Sequence, residues 1–438
     1  MIKQLRVPIY IAALCLLQML VQAQDSLLSE VTLPAAVNYS IKHQPVILQA
    51  QVDERITGAN IRSRLAEWYP QVNFNYVLQH NFLIQTNIIG GNPVKLGVEN
   101  TSSGLFSLNQ TLFNRAVLLA NRSKRDVQLQ ARQNTSNNKI DIASNVSKAF
   151  YDVLASIQQV KVSTENIVRI ERSLRDAFNQ YQAGIADKTD YKRASIALNN
   201  AKASKKANEE LLKAKKEYLK SLMGYPVSGI LNIVYDSLQM EREVYLDTLQ
   251  EADYTKRIEY GLLTTQQRLL DANFKYERWS YLPTVAVNGA YNLNYLNNDL
   301  GKLYQINYPN SFAALTLAFP IFQGGKRKAD IQAAQFQVQR GKLDLIDLRN
   351  TVNAQYSRSI ANYKANWADY AALKENLSLA KEVYDVVQLQ YRNGIKTYLE
   401  VINSETDLRT AQINYFNALY NLLASKIDVQ KALGQINY

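Results

Sequence analysis

From Asn114 to Gln182 the chain runs 69 residues without a proline or a glycine. At 1.5 Å rise per residue such a run makes a helical rod of roughly 100 Å, longer than a globular domain can hold. A second run, from about Lys326 to Asn393, is broken only by Gly341. Two rods of equal length point to duplication, and the flanking segments repeat as well. Leu105-Phe-Ser-Leu-Asn-Gln-Thr-Leu-Phe113 returns as Ala314-Leu-Thr-Leu-Ala-Phe-Pro-Ile-Phe322, and Tyr181-Gln-Ala-Gly-Ile185 returns as Tyr391-Arg-Asn-Gly-Ile395. Pro70 with Pro283, Leu108 with Leu317, Gly184 with Gly394 and Gly224 with Gly434 lie 213, 209, 210 and 210 residues apart. Two copies of this length make a pseudo-twofold protomer, not a solenoid of short repeats.

Each repeat reads as helix, strand, loop, strand, rod, tight turn, helix. The first spans 24–223, with a helix from about Pro34 to Glu67, strands near 71–83 and 103–113, the rod 114–182 and a return helix 188–222. The second spans 247–438, with a helix from about Asp247 to Tyr281, strands near 284–296 and 311–322, the rod 326–393 and a return helix 397–433. The stretch 224–246, with Pro226 and Gly229, reads as a connector around the waist. The short helices are about half a rod each, so two stacked end to end match one rod. Tyr356, Ile360, Tyr363, Trp367, Tyr370, Leu377 and Tyr384 keep heptad spacing along the second rod, and Val146, Phe150, Val153, Ile157, Val160, Thr164, Ile167 and Leu174 keep the same spacing along the first. Side-by-side helix packing is the implied use of both stripes.

The N-terminus carries Lys3 and Arg6, an apolar run from Val7 to Val21, and Val21-Gln22-Ala23, which reads as a secretory signal over 1–23. Cys15 is the sole cysteine and lies inside that run, so an exported fold would gain no disulfide. Beyond Ala23 no window approaches the roughly 18–20 apolar residues of a membrane helix. Without Lys3 and Arg6 the chain carries 48 basic and 38 acidic residues, a net charge of +10. Much of the excess, Lys192, Arg193, Lys202, Lys205, Lys206, Lys213, Lys215, Lys216 and Lys220, falls on one expected helix. A solvated face and an acidic partner both suit it, and no nucleic acid is implied.

Four segments alternate with period two. Val72, Phe74, Tyr76 and Leu78 oppose Asn73, Asn75 and Gln79; Phe106, Leu108 and Leu112 oppose Ser107, Asn109 and Thr111; the pattern recurs around Val285–Tyr295 and Leu315–Ile321. Apolar on one side and small or polar on the other over about ten residues is the membrane β-barrel pattern. In lipid every backbone group needs a partner, so the sheet must close, and known barrels begin near eight strands. Copies of the chain would have to pool their strands. The loops 83–102 and 296–310 would then project outside the cell.

These features resemble the TolC family of outer-membrane efflux and secretion ducts. The resemblance is carried by Trp68-Tyr-Pro70 and Tyr281-Leu-Pro283 at the strand entries, Ala318-Phe-Pro-Ile-Phe-Gln-Gly-Gly325 with Pro320 at the last strand's exit, Tyr391-Arg-Asn-Gly-Ile-Lys-Thr-Tyr-Leu-Glu-Val401 at a helix turn, and Ala432-Leu-Gly434. It implies a mixed α and β membrane fold. By that resemblance, four β-strands per subunit would contribute to a trimeric twelve-stranded outer-membrane barrel, continued by a long periplasmic α-helical barrel. It also implies a homotrimer in outer-membrane lipid, joined by a periplasmic adaptor (membrane fusion) protein to an inner-membrane pump of RND or ABC type. The turns at Gly184, Ile185, Gly394 and Ile395 would be the periplasmic tips that dock the adaptor. By position, Glu400 takes the place of a lumen-facing acid, Asp190 that of its first-repeat counterpart, Lys396 that of a basic tip residue, and Tyr391 matches the tip tyrosine. Asn403 stands where the family has a second acid. Asp190 and Lys396 are therefore expected to form a latch between neighbouring hairpins, with Glu400 setting cation preference.

Enzymatic chemistry has little to work with. The two histidines, His43 and His80, have no metal-spaced partners, and there is no Gly-x-Ser-x-Gly elbow or phosphate-binding glycine loop. No cofactor is expected. The rival readings are a soluble periplasmic coiled-coil scaffold or adaptor protein, and a closed monomeric porin, which would need at least twice the strand segments.

Overall fold

The structure, a computed structural model, describes residues 28, 30–185, 187–235 and 237–436; the expected signal segment with Lys3, Arg6 and Cys15 lies outside them. In chain order the helices are α1 (Leu33–His43), α2 (Pro45–Ala66), α3 (Arg115–Gln182), α4 (Lys188–Met223), α5 (Ser237–Glu243), α6 (Ile258–Arg278), α7 (Lys326–Arg392) and α8 (Tyr398–Ala432). The strands are β1 (Gln71–His80), β2 (Thr86–Ile89), β3 (Asn92–Lys95), β4 (Asn100–Phe113), β5 (Thr284–Asn297) and β6 (Asn310–Ala318). No helix among the described residues is long and apolar enough to cross a membrane.

Two expected helices come out differently. The helix expected over Pro34–Glu67 is split at Gln44, which is extended (φ −66°, ψ 121°) because Pro45 crowds the α conformation of the residue before it. The helix expected from Asp247 begins only at Ile258, after a 3-10 turn at Tyr254–Lys256 capped by Asp253. Both departures arise where half-length helices meet. Gln44 Nε2 donates to the carbonyls of Ser221 (3.2 Å) and Leu222 (3.0 Å) at the end of α4. Arg257 Nη1 donates to the carbonyl of Ala432 (3.4 Å) at the end of α8. Gln44 and Arg257 lie 213 residues apart and do the same job, donating to carbonyls at the C-terminal ends of α4 and α8. The joints are tight: a Cβ on Gly224 would stand 2.6 Å from the carbonyl oxygen of His43, and one on Gly434 would stand 2.9 Å from that of Lys256.

The main core gathers at this waist. Ile47, Phe150, Leu154, Leu219, Met223, Leu419, Leu422 and Leu423 are fully buried there, and Tyr225, Leu231, Met240 and Val244 of the connector close over them. The connector is tied to α7 by hydrogen bonds from Tyr363 Oη to Val244 O (2.7 Å) and from Tyr356 Oη to Gln250 O. Those two bonds hold residues 244–250 against α7, outside any helix. On α3 the buried positions depart from the heptad below the waist. Val160 is half-buried and Thr164 exposed, while Val162, Asn166, Ile170, Ser173 and Ala177 are buried. Steps of four, four, three and four average more than 3.6 residues, so the seam winds around the helix in the opposite sense to a heptad. The basic side chains of α4 are largely matched within the chain. Lys202, Lys205, Lys206, Lys213, Lys215 and Lys220 each pair with Glu or Asp, as a solvated face would.

The four-stranded antiparallel sheet has the order β1-β4-β5-β6. Its register puts Phe74 beside Phe106 and Tyr291, Val72 beside Leu108, and Val287 beside Leu315, all on one face. The other face carries polar rungs, including Ser103 to Asn292 and Asn288 to Thr316, each 2.8 Å. Leu112, expected on the apolar face, falls in a β-bulge, and Phe113 takes the place opposite Val285. β6 stops at Ala318 and not at Phe322, because Pro320 cannot donate to a ladder. The expected loop 83–102 contains its own hairpin, β2 paired with β3 around Gly90 and Gly91, both at positive φ as a two-residue hairpin turn requires. β1 and β6 each have a neighbour on one side only.

Candidate functional site

The two rods end identically. After α3, the N–H of Gly184 (φ 75°) donates to Tyr181 O at 3.0 Å and that of Ile185 to Gln180 O at 2.9 Å. After α7, Gly394 (φ 75°) donates to Tyr391 O and Ile395 to Gln390 O, each at 2.9 Å. This is the glycine-terminated C-cap, in which a left-handed residue lets the chain turn back on the last carbonyls. Ile185 and Ile395 stand out at these turns, 78% and 70% exposed. Apolar side chains so placed are available to a partner.

The helices restart under different caps. Asp187 accepts from Thr189 N at 2.7 Å and opens α4, and that bond holds its carboxyl below the usual range. Thr397 opens α8 with a capping box: its hydroxyl faces Glu400 N (3.4 Å), and Glu400 Oε2 accepts from Thr397 N (2.9 Å). Glu400 Oε1 also accepts from Lys396 Nζ at 2.6 Å. The Lys396 hydrogen bond, then the Thr397 backbone, lower the Glu400 carboxyl to about 2. Within one subunit, therefore, Lys396 is joined to Glu400 and not to Asp190. Asp190 occupies the first turn of α4, and its charge raises the phenols of Tyr391 and Tyr398 behind the larger effect of burial. Asn403 is exposed one turn beyond Glu400 and brings no second acid.

A small second core holds the two hairpins together here. Ala177 and Ala194 of the first hairpin bury against Tyr398 of the second, with Leu174, Tyr191, Tyr391 and Ile402 around them. Tyr391 Oη donates to Gln180 Oε1 across the hairpins at 3.0 Å, and its ring lies 5.8 Å from that of Tyr398. The strand-boundary prolines lie at the far end: Pro70 and Pro283 immediately precede β1 and β5, and Pro320 follows β6. Sequence reasoning missed Tyr398 and, two turns on, Glu405. The signal was present: Tyr398, Val401, Glu405 and Leu408 follow heptad steps along α8, which puts a carboxylate at a core position.

Comparison with known proteins places this geometry. A family model described as outer membrane efflux protein matches residues 37–225 and 264–435. The chain is 22% identical to the outer membrane protein TolC of Escherichia coli (strain K12), over 77% of this chain and 70% of that protein. It is also 22% identical to the outer membrane efflux protein BepC of Brucella suis biovar 1, over 97% and 90%. Among solved structures, CusC superposes with a TM-score of 0.74 at 15% identity, covering 93% of each chain.

Proposed function

Because the chain belongs to the outer membrane efflux protein family, we propose that three copies close one passive duct, which carries solutes out through the outer membrane as the exit limb of a tripartite pump. The observation that carries this reading is the sheet: four strands, one apolar face in register, and an open edge on either side. Four strands cannot seal in lipid, two copies supply only the minimum, and three supply twelve with room for a channel. A soluble scaffold would have no use for an apolar sheet face bearing Phe74, Leu315 and Leu317 at more than half exposure. No catalytic step is assigned to the chain; its residues position helices and a pore.

In this reading the turns at Gly184–Ile185 and Gly394–Ile395 are the periplasmic tips, where an adaptor docks and where Asp190, Tyr391, Lys396, Glu400 and Asn403 control closure. Glu400, ionised above about pH 2, favours cations, more weakly than a double acid ring because Asn403 is neutral. An adaptor that draws Lys396 from Glu400 towards a neighbouring Asp190, or away from both, would change how the tips hold together. Exposed pairs are weak because water screens them, so a partner's binding energy is enough to exchange them. The test is purification in detergent with mass determination by light scattering, followed by planar-bilayer recording. A trimer with discrete ion conductance is expected. A water-soluble monomer that never opens a path through lipid overturns the reading.

A further inference from the structure

Above the tip, Glu405 of α8 faces Arg169 of α3, so the second hairpin meets the first at a buried carboxylate. Glu405 is 5% exposed, and its Oε1 lies 3.5 Å from Arg169 Nε. Neither atom makes a hydrogen bond, nor does Arg169 Nη2 or the buried Oδ1 of Asn166. Asn166 and Glu405 line a cavity of about 160 Å³, together with Asn200, Tyr398 and Arg409 among others. A buried, imperfectly paired carboxylate is costly when ionised and cheap to hold when neutral.

We infer that Glu405 is a positioning residue for the tip: in its neutral form it keeps α3 and α8 packed, and on ionisation it draws water into the cavity and loosens the seam between the hairpins. The connection to the tip is Tyr398, which lines the same cavity and is the buried centre of the Tyr391 cluster. This inference rests on the duct reading only for its consequence at the tips.

The charges around Glu405 fit the inference. Arg169 approaches from α3, Tyr384 from α7, and Arg409 and Tyr398 from α8, with Arg172 and Asp385 acting on Tyr384, while α4 brings Ala197, Asn200 and Ala201 to the cavity. Burial pushes the Glu405 carboxyl up to about 7, with Arg169 and Arg409 opposing. The folded value lies above the unfolded one. The packed seam is therefore fully favoured below about pH 4.5 and loses that advantage as pH rises through about 7. The two histidines are remote in sequence and lie on α1 and β1.

The experiment is hydrogen exchange on the full chain in detergent from pH 5 to 8, corrected for intrinsic rates, with particle mass measured on the same samples. Peptides covering 163–173 and 401–409 are expected to open more as pH rises, by up to roughly tenfold per pH unit for one linked proton. Glu405→Gln should hold them protected at every pH, and Arg169→Ala, which removes the main compensating charge, should move the transition to higher pH. Exchange in the wild type that ignores pH, a pH dependence that survives in Glu405→Gln, or an Arg169→Ala transition that does not move overturns the inference. The Arg169 variant decides the matter even if the Gln variant does not fold. A particle mass of one subunit instead counts against the duct, whatever the exchange shows.

Discussion

Lys396 and Glu400 hold each other across one helical turn, Nζ to Oε1 at 2.6 Å, so the cation expected to latch onto Asp190 is engaged inside its own subunit. Any latch between hairpins has to compete with that pair. Glu400→Gln, which releases Lys396, should lower cation preference while favouring the closed tip. Lys396→Ala should leave selectivity largely intact and close less firmly. Reversal potentials and open probability in planar bilayers distinguish the two.

The Glu400 carboxyl lies below its unfolded value, so its contribution is present above about pH 4.5 and is lost as pH falls towards about 2. Cation preference should therefore stay flat from pH 8 down to about 4 and decline only in stronger acid. A selectivity change centred near neutrality would place the controlling acid elsewhere. Thr397→Ala, which removes the hydroxyl half of the capping box, should cost about 1 kcal/mol of local helix stability.

Gly224 and Gly184 share a left-handed backbone but not a setting. At Gly184 a Cβ meets open space, so Gly184→Ala should cost about 1 kcal/mol of conformational strain alone. At Gly224 the same methyl would strike the His43 carbonyl, so Gly224→Ala should cost about 2 kcal/mol or more and push α4 away from the end of α1. Melting temperatures of the two variants, side by side, provide the comparison.

Tyr363→Phe removes the buried bond to Val244 O and leaves that carbonyl unsatisfied, at a cost of about 1–3 kcal/mol. The connector should exchange its amide hydrogens faster over 241–250, with the tip unaffected. Faster exchange at the tip as well would mean that waist and tip open together.

The register of β5 and β6 separates two neighbouring positions. Leu315 shares the apolar face with Val287, and Thr316 shares the polar face with Asn288. Leu315→Arg should destabilise insertion by about 2–4 kcal/mol, whereas Thr316→Arg should insert and alter conductance. Fractionation and single-channel recording report each outcome.

The rods, the strands and the turns were legible because their signals are local: absence of proline, alternation, and glycine after a last helical turn. The bulge at Leu112 was not, since a one-residue slip leaves the alternation before it unchanged. Arg257 was opaque for another reason. Nothing near it announces a cap, and only its distance of 213 residues from Gln44, whose following proline is conspicuous, reveals the shared role. At the tip, the glycines and Tyr391 could be read from pattern, but the choice of Lys396 for Glu400 over Asp190 depends on helical geometry across one turn. Glu405 was hidden in plain view, because an acid on a helix reads as solvated until the packed face of that helix is known.

The unpaired margins of β1 and β6 give the protein a threshold. On the proposed assembly a lone copy would leave those margins without hydrogen-bond partners in lipid, so arrival at the membrane would have to coincide with encounter. The rate of maturation would then climb steeply with the supply of fresh chains.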